Sequence, residues 1–196
     1  MTDTTTFDFN TAGEQRSFEV IPAGTICTLQ LTIRRGGAGD DGWLKRSADG
    51  ASEGLDCEFI VTEGPYAKRK LWQLYTLRGM TEKHAEAGKI SNTTLRAILE
   101  SARGIRPDDK SEAAQNARKV SSWADLDQIR FMARLGVKPP QGIYQAKNTI
   151  WEVITPERQE WRKPEQISAK SANSAAPATA PTTPPAGSIT RPEWGR

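Results

Sequence analysis

The side chains able to do chemistry in this 196-residue chain are mostly cations and flat rings, and they fall close together in a few short stretches. Arg34 and Arg35 precede a glycine-rich run, and Trp43-Leu44-Lys45-Arg46 follows it. Tyr66-Ala67-Lys68-Arg69-Lys70 comes next, with Trp72 two residues further on. Arg130, Arg134, Lys138, Tyr144 and Lys147 form a later group. Positive charge beside a ring suits a flexible polynucleotide. Cations track its phosphates, and a π-face offers a base a stacking surface worth about 1–3 kcal/mol. Each phosphate contact to a single strand adds about −0.7 to the slope of log affinity against log salt. The expectation is a collective DNA-binding site made of all these residues, with none of them decisive.

Each residue also has a plainer reading. Trp43 serves equally well as a lid on the core, and Tyr66 as packing for the Gly64-Pro65-Tyr66 turn. Lys68-Arg69-Lys70 reads also as a solvated turn. Trp72 and Trp151 lie in strand-like runs, where a ring is more often core than platform. His84, on a polar helical segment, is expected to be exposed.

Catalysis has less to draw on. Asp40-Asp41 sits in a glycine-rich loop, and mobile carboxylates make poor metal cages without rigid partners. Asp56 and Glu58 share one strand face and could hold a magnesium ion, yet nothing nearby completes a nuclease signature. There is no P-loop, no GxSxG and no outstanding Cys–His pair. Cys27, Cys57 and His84 lack the spacing of a zinc site. The two cysteines lie in apolar runs and read as small buried side chains, bridged only if neighbouring strands juxtapose them. The expectation is no enzyme, no catalytic residue, no metal and no cofactor. Two alternatives stay open. One is a non-catalytic protein–protein adaptor presenting Trp43 and Trp72 to a recombinase or replisome subunit. The other is a metal-dependent nuclease using Asp56 and Glu58.

The elements that must position these groups follow from periodicity. Cys27, Leu29, Leu31 and Ile33 alternate with Thr28, Gln30, Thr32 and Arg34, which predicts a half-buried strand over 25–34. The run 36–42 predicts a long flexible loop. Leu55, Cys57, Phe59 and Val61 predict a second strand, and 70–77 a third. The third has bulky groups on both faces, so its inward side is left open. Leu95, Ile98, Leu99 and Ala102 keep helical spacing, with Ser91 as the expected N-cap, Ile90 and Leu95 as a staple, and Gly104 as the stop. Short helices are expected from Glu82 and after Ser111. Ile129, Phe131, Ala133, Leu135 and Val137 predict a fourth strand, and 149–154 a fifth. Three strands, a helix and two strands give a mainly β chain. That order is the one a five-stranded OB-like barrel requires, with a split α+β sheet as the alternative. In OB barrels the second and third strands and the loops joining strands 1–2 and 4–5 bind the ligand. Those are the places where the cations and rings fall.

Composition sets the boundaries. Net charge of +3 with a sequence pI of about 8.9 permits a polyanionic partner without requiring one. No apolar run is long enough to cross a bilayer, and the start of the chain lacks the basic and apolar regions of a secretory signal, so a cytoplasmic location is expected. Residues 1–18 read as an N-terminal arm with Phe7 and Phe9, and 19–162 as the OB-like domain. Residues 163–196 read as a disordered Ala/Pro/Ser/Thr-rich tail ending in a short peptide with Trp194. Oligomeric state, site size and preference for DNA over RNA do not follow from the residues.

One set of motifs, in order over 7–154, carries a resemblance. It comprises Phe7-Asp8-Phe9-Asn10, Ile21-Pro22-Ala23-Gly24-Thr25 and the run Glu63-Gly64-Pro65-Tyr66-Ala67-Lys68-Arg69-Lys70. It continues with Leu95-Arg96-Ala97-Ile98-Leu99 and Tyr144-Gln145-Ala146-Lys147-Asn148. Together they resemble a phage protein family long catalogued as a domain of unknown function and now treated as single-stranded DNA-binding proteins of replication and recombination gene clusters. The resemblance implies an OB-like barrel, a phage or prophage origin, replication or recombination proteins as further partners, and no cofactor. Bacterial single-strand binders usually end in an acidic tail. This chain ends Arg191-Pro192-Glu193-Trp194-Gly195-Arg196, which is not acidic.

Overall fold

Alternation of apolar and polar residues decides which side of each strand is buried. The computed structural model describes residues 10–13 and 19–166. The expectations for Phe7, Phe9, Trp194 and the tail beyond Gln166 lie outside these residues. Six strands form one antiparallel sheet: β1 (Ile26–Arg34), β2 (Lys45–Arg46), β3 (Ser52–Val61), β4 (Lys70–Gly79), β5 (Arg130–Lys138) and β6 (Lys147–Ile154). Between β4 and β5 come α1 (Glu82–Arg103), α2 (Glu112–Ala117) and a 3-10 turn at Trp123–Asp125. None of the described helices is long and apolar enough to cross a membrane.

The sheet is built around β1 and β3. Antiparallel to β1 run β3 on one side, with Leu31 opposite Phe59, and β5 on the other, with Leu29 opposite Phe131. β4 pairs along the far edge of β3, and β6 pairs with β5. The inward residues Leu29, Leu31, Leu55, Cys57, Phe59, Phe131, Ala133 and Leu135 are fully buried. Phe59 meets Tyr75 and Phe131 edge-on, at centroid distances of 6.2 and 5.8 Å, the favoured geometry for aromatic quadrupoles. This core settles the face of the third predicted strand: Leu71 and Tyr75 point inward, while Trp72 and Leu74 point out. Cys27 lies opposite Ala133 and Cys57 opposite Ile33, so the strands do not juxtapose the two thiols, and both are free and buried.

The sheet is open. β4 and β6 come within 8 Å of each other at their Cα atoms, but no ladder joins them among the described residues. α1 packs against β4, β5 and β6 beside this seam. Its one buried glycine, Gly88, permits the approach. A Cβ there would sit 2.6 Å from the Leu77 carbonyl oxygen. The helix is longer than its apolar spacing predicts. Thr81, not Ser91, is the N-cap, its hydroxyl accepting from the His84 amide at 3.2 Å. Ser91 is a buried mid-helix residue. The predicted stop at Gly104 holds, with φ of 71°, as does the short helix capped by Ser111. The two-residue β2 is an element the periodicity does not reveal.

Polar stitches hold the helical layer to the sheet. Ser101 Oγ donates to the Ile154 carbonyl at 2.7 Å and accepts from the Met132 amide at 3.1 Å. Buried Glu100 accepts from Arg96 and Arg118 at 2.8 and 2.7 Å. Arg118 in turn donates to carbonyls of Asp109 and Arg106, closing the segment before α2. The segment assigned to the tail from 163 packs on the sheet as far as Gln166. Its side chain accepts from the Arg130 amide at 2.9 Å and donates to the Arg130 carbonyl at 2.8 Å.

Ser101→Ala orphans a buried amide and a carbonyl, each costing about 1–3 kcal/mol. Urea denaturation is expected to show a loss of about 2 kcal/mol or more, and an unchanged midpoint would refute this role for the hydroxyl. Burial pushes the Cys57 thiol up to about 12, with Asp56 and Asp127 adding to the effect, and raises that of Cys27 as well. Thiolate is the reactive form, so a disulfide-exchange reagent at pH 8 is expected to label the cysteines far faster in denaturant than in the native protein.

Candidate nucleic-acid interface

The outward face of β3 carries acids, and its neighbours carry the bases. Glu53, Asp56 and Glu58 project from β3 with their side chains largely covered by cations. Glu53 accepts from Arg46 at 2.7 Å and from Arg78 at 2.7 Å. Those hydrogen bonds, Arg46 first, hold its carboxyl below the usual range. Asp56 accepts from Lys45 at 2.9 Å, with Arg34 at 3.9 Å. Glu58 accepts from Lys70 at 2.8 Å and from the Trp72 indole at 3.0 Å. The Lys70 hydrogen bond is the main cause of its lowered pKa. Register explains this arrangement. Asp56 lies opposite Arg34 on β1 and Leu74 on β4, while Glu58 lies opposite Thr32 and Trp72.

The rings divide. Trp72 is 51% exposed, with Leu74 beside it on the same face. Its tether to Glu58 fixes the indole on the sheet. Trp43 is only 6% exposed and belongs to the core, with the Arg35 guanidinium 4.1 Å above its ring. As a stacking platform Trp43 is therefore corrected to a lid, and Arg35 to its cover. Tyr66 is half-buried and packs against the core inside the turn, which likewise favours its plainer reading. Trp151, expected in the core, is 72% exposed. A register shift between Arg134 and Leu135 turns it outward, where it lies over Gly136.

The hairpin joining β5 and β6 differs in charge from the β3 face. From Leu135 to Trp151 the sequence contains Lys138 and Lys147 and no acidic residue. The two lysines lie directly opposite each other across the ladder. Like charges so placed repel, and among the described residues neither has an ion-pair partner. At the hairpin tip Gln141 and Tyr144 bond to each other through both backbone groups, leaving Ile143 92% and Tyr144 74% exposed. The 62–69 turn lies at the same end of the sheet, since β3 ends and β4 begins there beside the start of β1. In it Lys68 is exposed and held at φ of 69°. Arg69 donates to the Glu19 carbonyl, so it anchors the N-terminal segment.

Arg130 and Arg134 occupy the predicted outward face, yet their donors are engaged. Arg134 pairs with Glu152 and Glu160, each at 3.2 Å. Arg130 donates to Gln30 and to the Glu165 carbonyl. The predicted site residues thus sort into three groups. Arg34, Lys45, Arg46, Lys70 and Trp72 share the β3–β4 face. Lys68, Lys138, Tyr144 and Lys147 share one end of the sheet. Trp43, Arg35, Tyr66, Arg69, Arg130 and Arg134 serve mainly to hold the fold. Leu74, Arg78 and Trp151 join the exposed surface without having been predicted. The absence of acids over 135–151 was the signal available for Trp151.

Asp56 and Glu58 are tied to lysines and to an indole, not turned toward a common vacant point, and no cluster of three metal-ligating side chains occurs among the described residues. The motif residues also have structural work. The side-chain amide of Asn148 accepts from the Ile21 amide at 2.8 Å and donates to its carbonyl at 2.7 Å. This clamp fixes the Ile21-Pro22-Ala23-Gly24 turn against β6. No protein-family model matches the chain, and the search of curated proteins finds no significant match.

A left-handed backbone costs a non-glycine residue about 1–2 kcal/mol, partly returned as glycine's greater unfolded-state entropy. Lys68→Gly is expected to raise unfolding free energy by about 0.5–1 kcal/mol while removing one exposed cation. A drop in stability by urea denaturation would contradict this reading of the turn.

Proposed function

We propose that the protein binds single-stranded DNA without chemistry, along a path from the β5–β6 hairpin onto the outward face of β3 and β4. The observation that carries this reading is the acid-free hairpin. It combines two opposed, unpaired lysines with exposed Tyr144 and Trp151. An anion between Lys138 and Lys147 relieves their repulsion, and the rings beside them suit unstacked bases. Trp72 and Trp151 stand on the outward faces of the two strands that flank the seam. Both rings are therefore open to solvent and not sunk inside the sheet.

The connectivity supports the finer reading of the fold. The first long strand pairs with the second and fourth long strands, the third follows the second, and the helix precedes the fourth. This is the order of an OB barrel, here with its seam between β4 and β6 unladdered. The motif resemblance adds a phage or prophage replication or recombination module, working in the host cytoplasm, as the setting. Phosphate and stacking contacts of this kind give little sequence preference.

Fluorescence anisotropy with labelled oligo-dT and a matched duplex tests the proposal. The single strand is expected to bind more tightly at low salt, and no binding there would reject the reading. Lys138→Gln with Lys147→Gln is expected to reduce the salt slope by about 1.4, from two lost contacts at about 0.7 each. Trp151→Ala is expected to weaken binding roughly 30-fold, from the middle of the stacking range of about 1–3 kcal/mol. An unchanged slope and affinity in both variants would remove the hairpin from the site.

A further inference from the structure

The β3 carboxylates are difficult to reconcile with a face that merely attracts phosphates. Glu53, Asp56 and Glu58 stand in the middle of it, and each already receives the donors a phosphate would use. Glu53 is gripped by two guanidiniums, Arg46 through Nε and Nη2 and Arg78 through Nε and Nη2. Each guanidinium sets two donors on one carboxylate oxygen, Oε1 for Arg46 and Oε2 for Arg78, and the same donors would serve a phosphate oxygen. The carboxylate side chains are 11–18% exposed, while their cation partners are 46–68% exposed. The acids therefore lie beneath a layer of accessible cations.

We infer that Glu53, Asp56 and Glu58 act as an internal phosphate mimic that holds the cations of the β3–β4 face in place and restrains their use by a bound strand. The inference rests on the proposed single-strand reading and assigns a role in it to residues that otherwise only balance charge. A phosphate arriving at Arg46 and Arg78 must share donors with Glu53 and meets the repulsion of its charge. The acid-free hairpin carries no such restraint. Anchoring is then strong at the hairpin and tempered across the face, which favours a strand that can be released or displaced. Glu58 has a second, separable part as the positioning residue of Trp72, because its Oε2 accepts from the indole at 3.0 Å.

The test compares wild type, Glu53→Gln, Glu58→Gln and the triple variant Glu53→Gln, Asp56→Asn, Glu58→Gln in oligo-dT anisotropy over a range of salt. The released cations are exposed and remain hydrated, so thermal unfolding is expected to change little. Glu53→Gln is expected to bind oligo-dT about 3- to 10-fold more tightly at low salt. Its salt slope should steepen by about 0.7 to 1.4 as Arg46 and Arg78 become available. The gain should vanish when Arg46→Gln and Arg78→Gln are added. Glu58→Gln keeps an acceptor for the indole and should tighten binding, whereas Glu58→Ala should lose part of that gain.

A wild type that binds, with acid-to-amide variants that are folded and no tighter, overturns this inference and leaves the proposed function standing. A wild type that does not bind, with a triple variant that does, supports the restraint and rejects the proposed function of the native chain. Absence of binding in both rejects both.

Discussion

The pairing of β3 along both of its edges is the constraint on which the rest of the molecule depends. With β1 and β2 on one side and β4 on the other, alternation along β3, stepped once by the register shift between Glu53 and Gly54, has two consequences at once. Leu55, Cys57, Phe59 and Val61 go inward to the core. Glu53, Asp56 and Glu58 go outward, into reach of bases from three neighbouring strands. A one-residue slip from Leu55 onward would exchange the two faces, burying Asp56 and Glu58 and exposing the aromatic core. The register that stabilises the fold is thus the register that organises the charged face. At the bulge by Gly54 a Cβ would sit 2.3 Å from the Tyr75 carbonyl oxygen, so the close pairing of β3 with β4 requires glycine there.

The second organising feature is the unladdered seam between β4 and β6. Exposed strand edges invite unwanted pairing and are usually covered or charged. Here α1 packs beside the seam, drawn close by Gly88 and stitched by Ser101. At the other end, the segment Glu19–Ile21 is tied to Arg69 and to Asn148, residues that belong to the turn before β4 and to β6. The fold spends its polar side chains on these closures. That is why several cations that look available in the sequence are engaged in the structure, while the lysines of the hairpin have no ion-pair partner among the described residues.

Much of the fold was legible because alternation is a local signal. The inward faces of β1, β3 and β5 follow directly from their apolar residues, and Gly104 marked the helix end by its need for a left-handed backbone. What failed depended on tertiary context. Ser91 looked like an N-cap because the apolar period starts after it. Only packing against Leu77 shows why Gly88 sits inside a longer helix. Trp151 looked buried because a strand bulge cannot be read from spacing. Trp43 and Arg35 looked functional, yet a cation over a ring is also a way to seal a core edge. Charge type was legible throughout, but charge pairing was not, since it is set by register between strands distant in sequence. The seam, in the same way, could not be foreseen from an order of strands that permits a closed barrel.

Under the proposed function a single strand lies on Trp72 and Trp151 and away from the buried rings, and indole N–H resonances report this directly. Titrating the isotope-labelled full chain with oligo-dT is expected to shift the Trp72 and Trp151 signals, with assignments from single Trp→Phe variants, and to leave that of Trp43 in place. A titration that moves Trp43 while Trp72 and Trp151 stay fixed, or that moves none of the three at saturating oligonucleotide, would contradict the account.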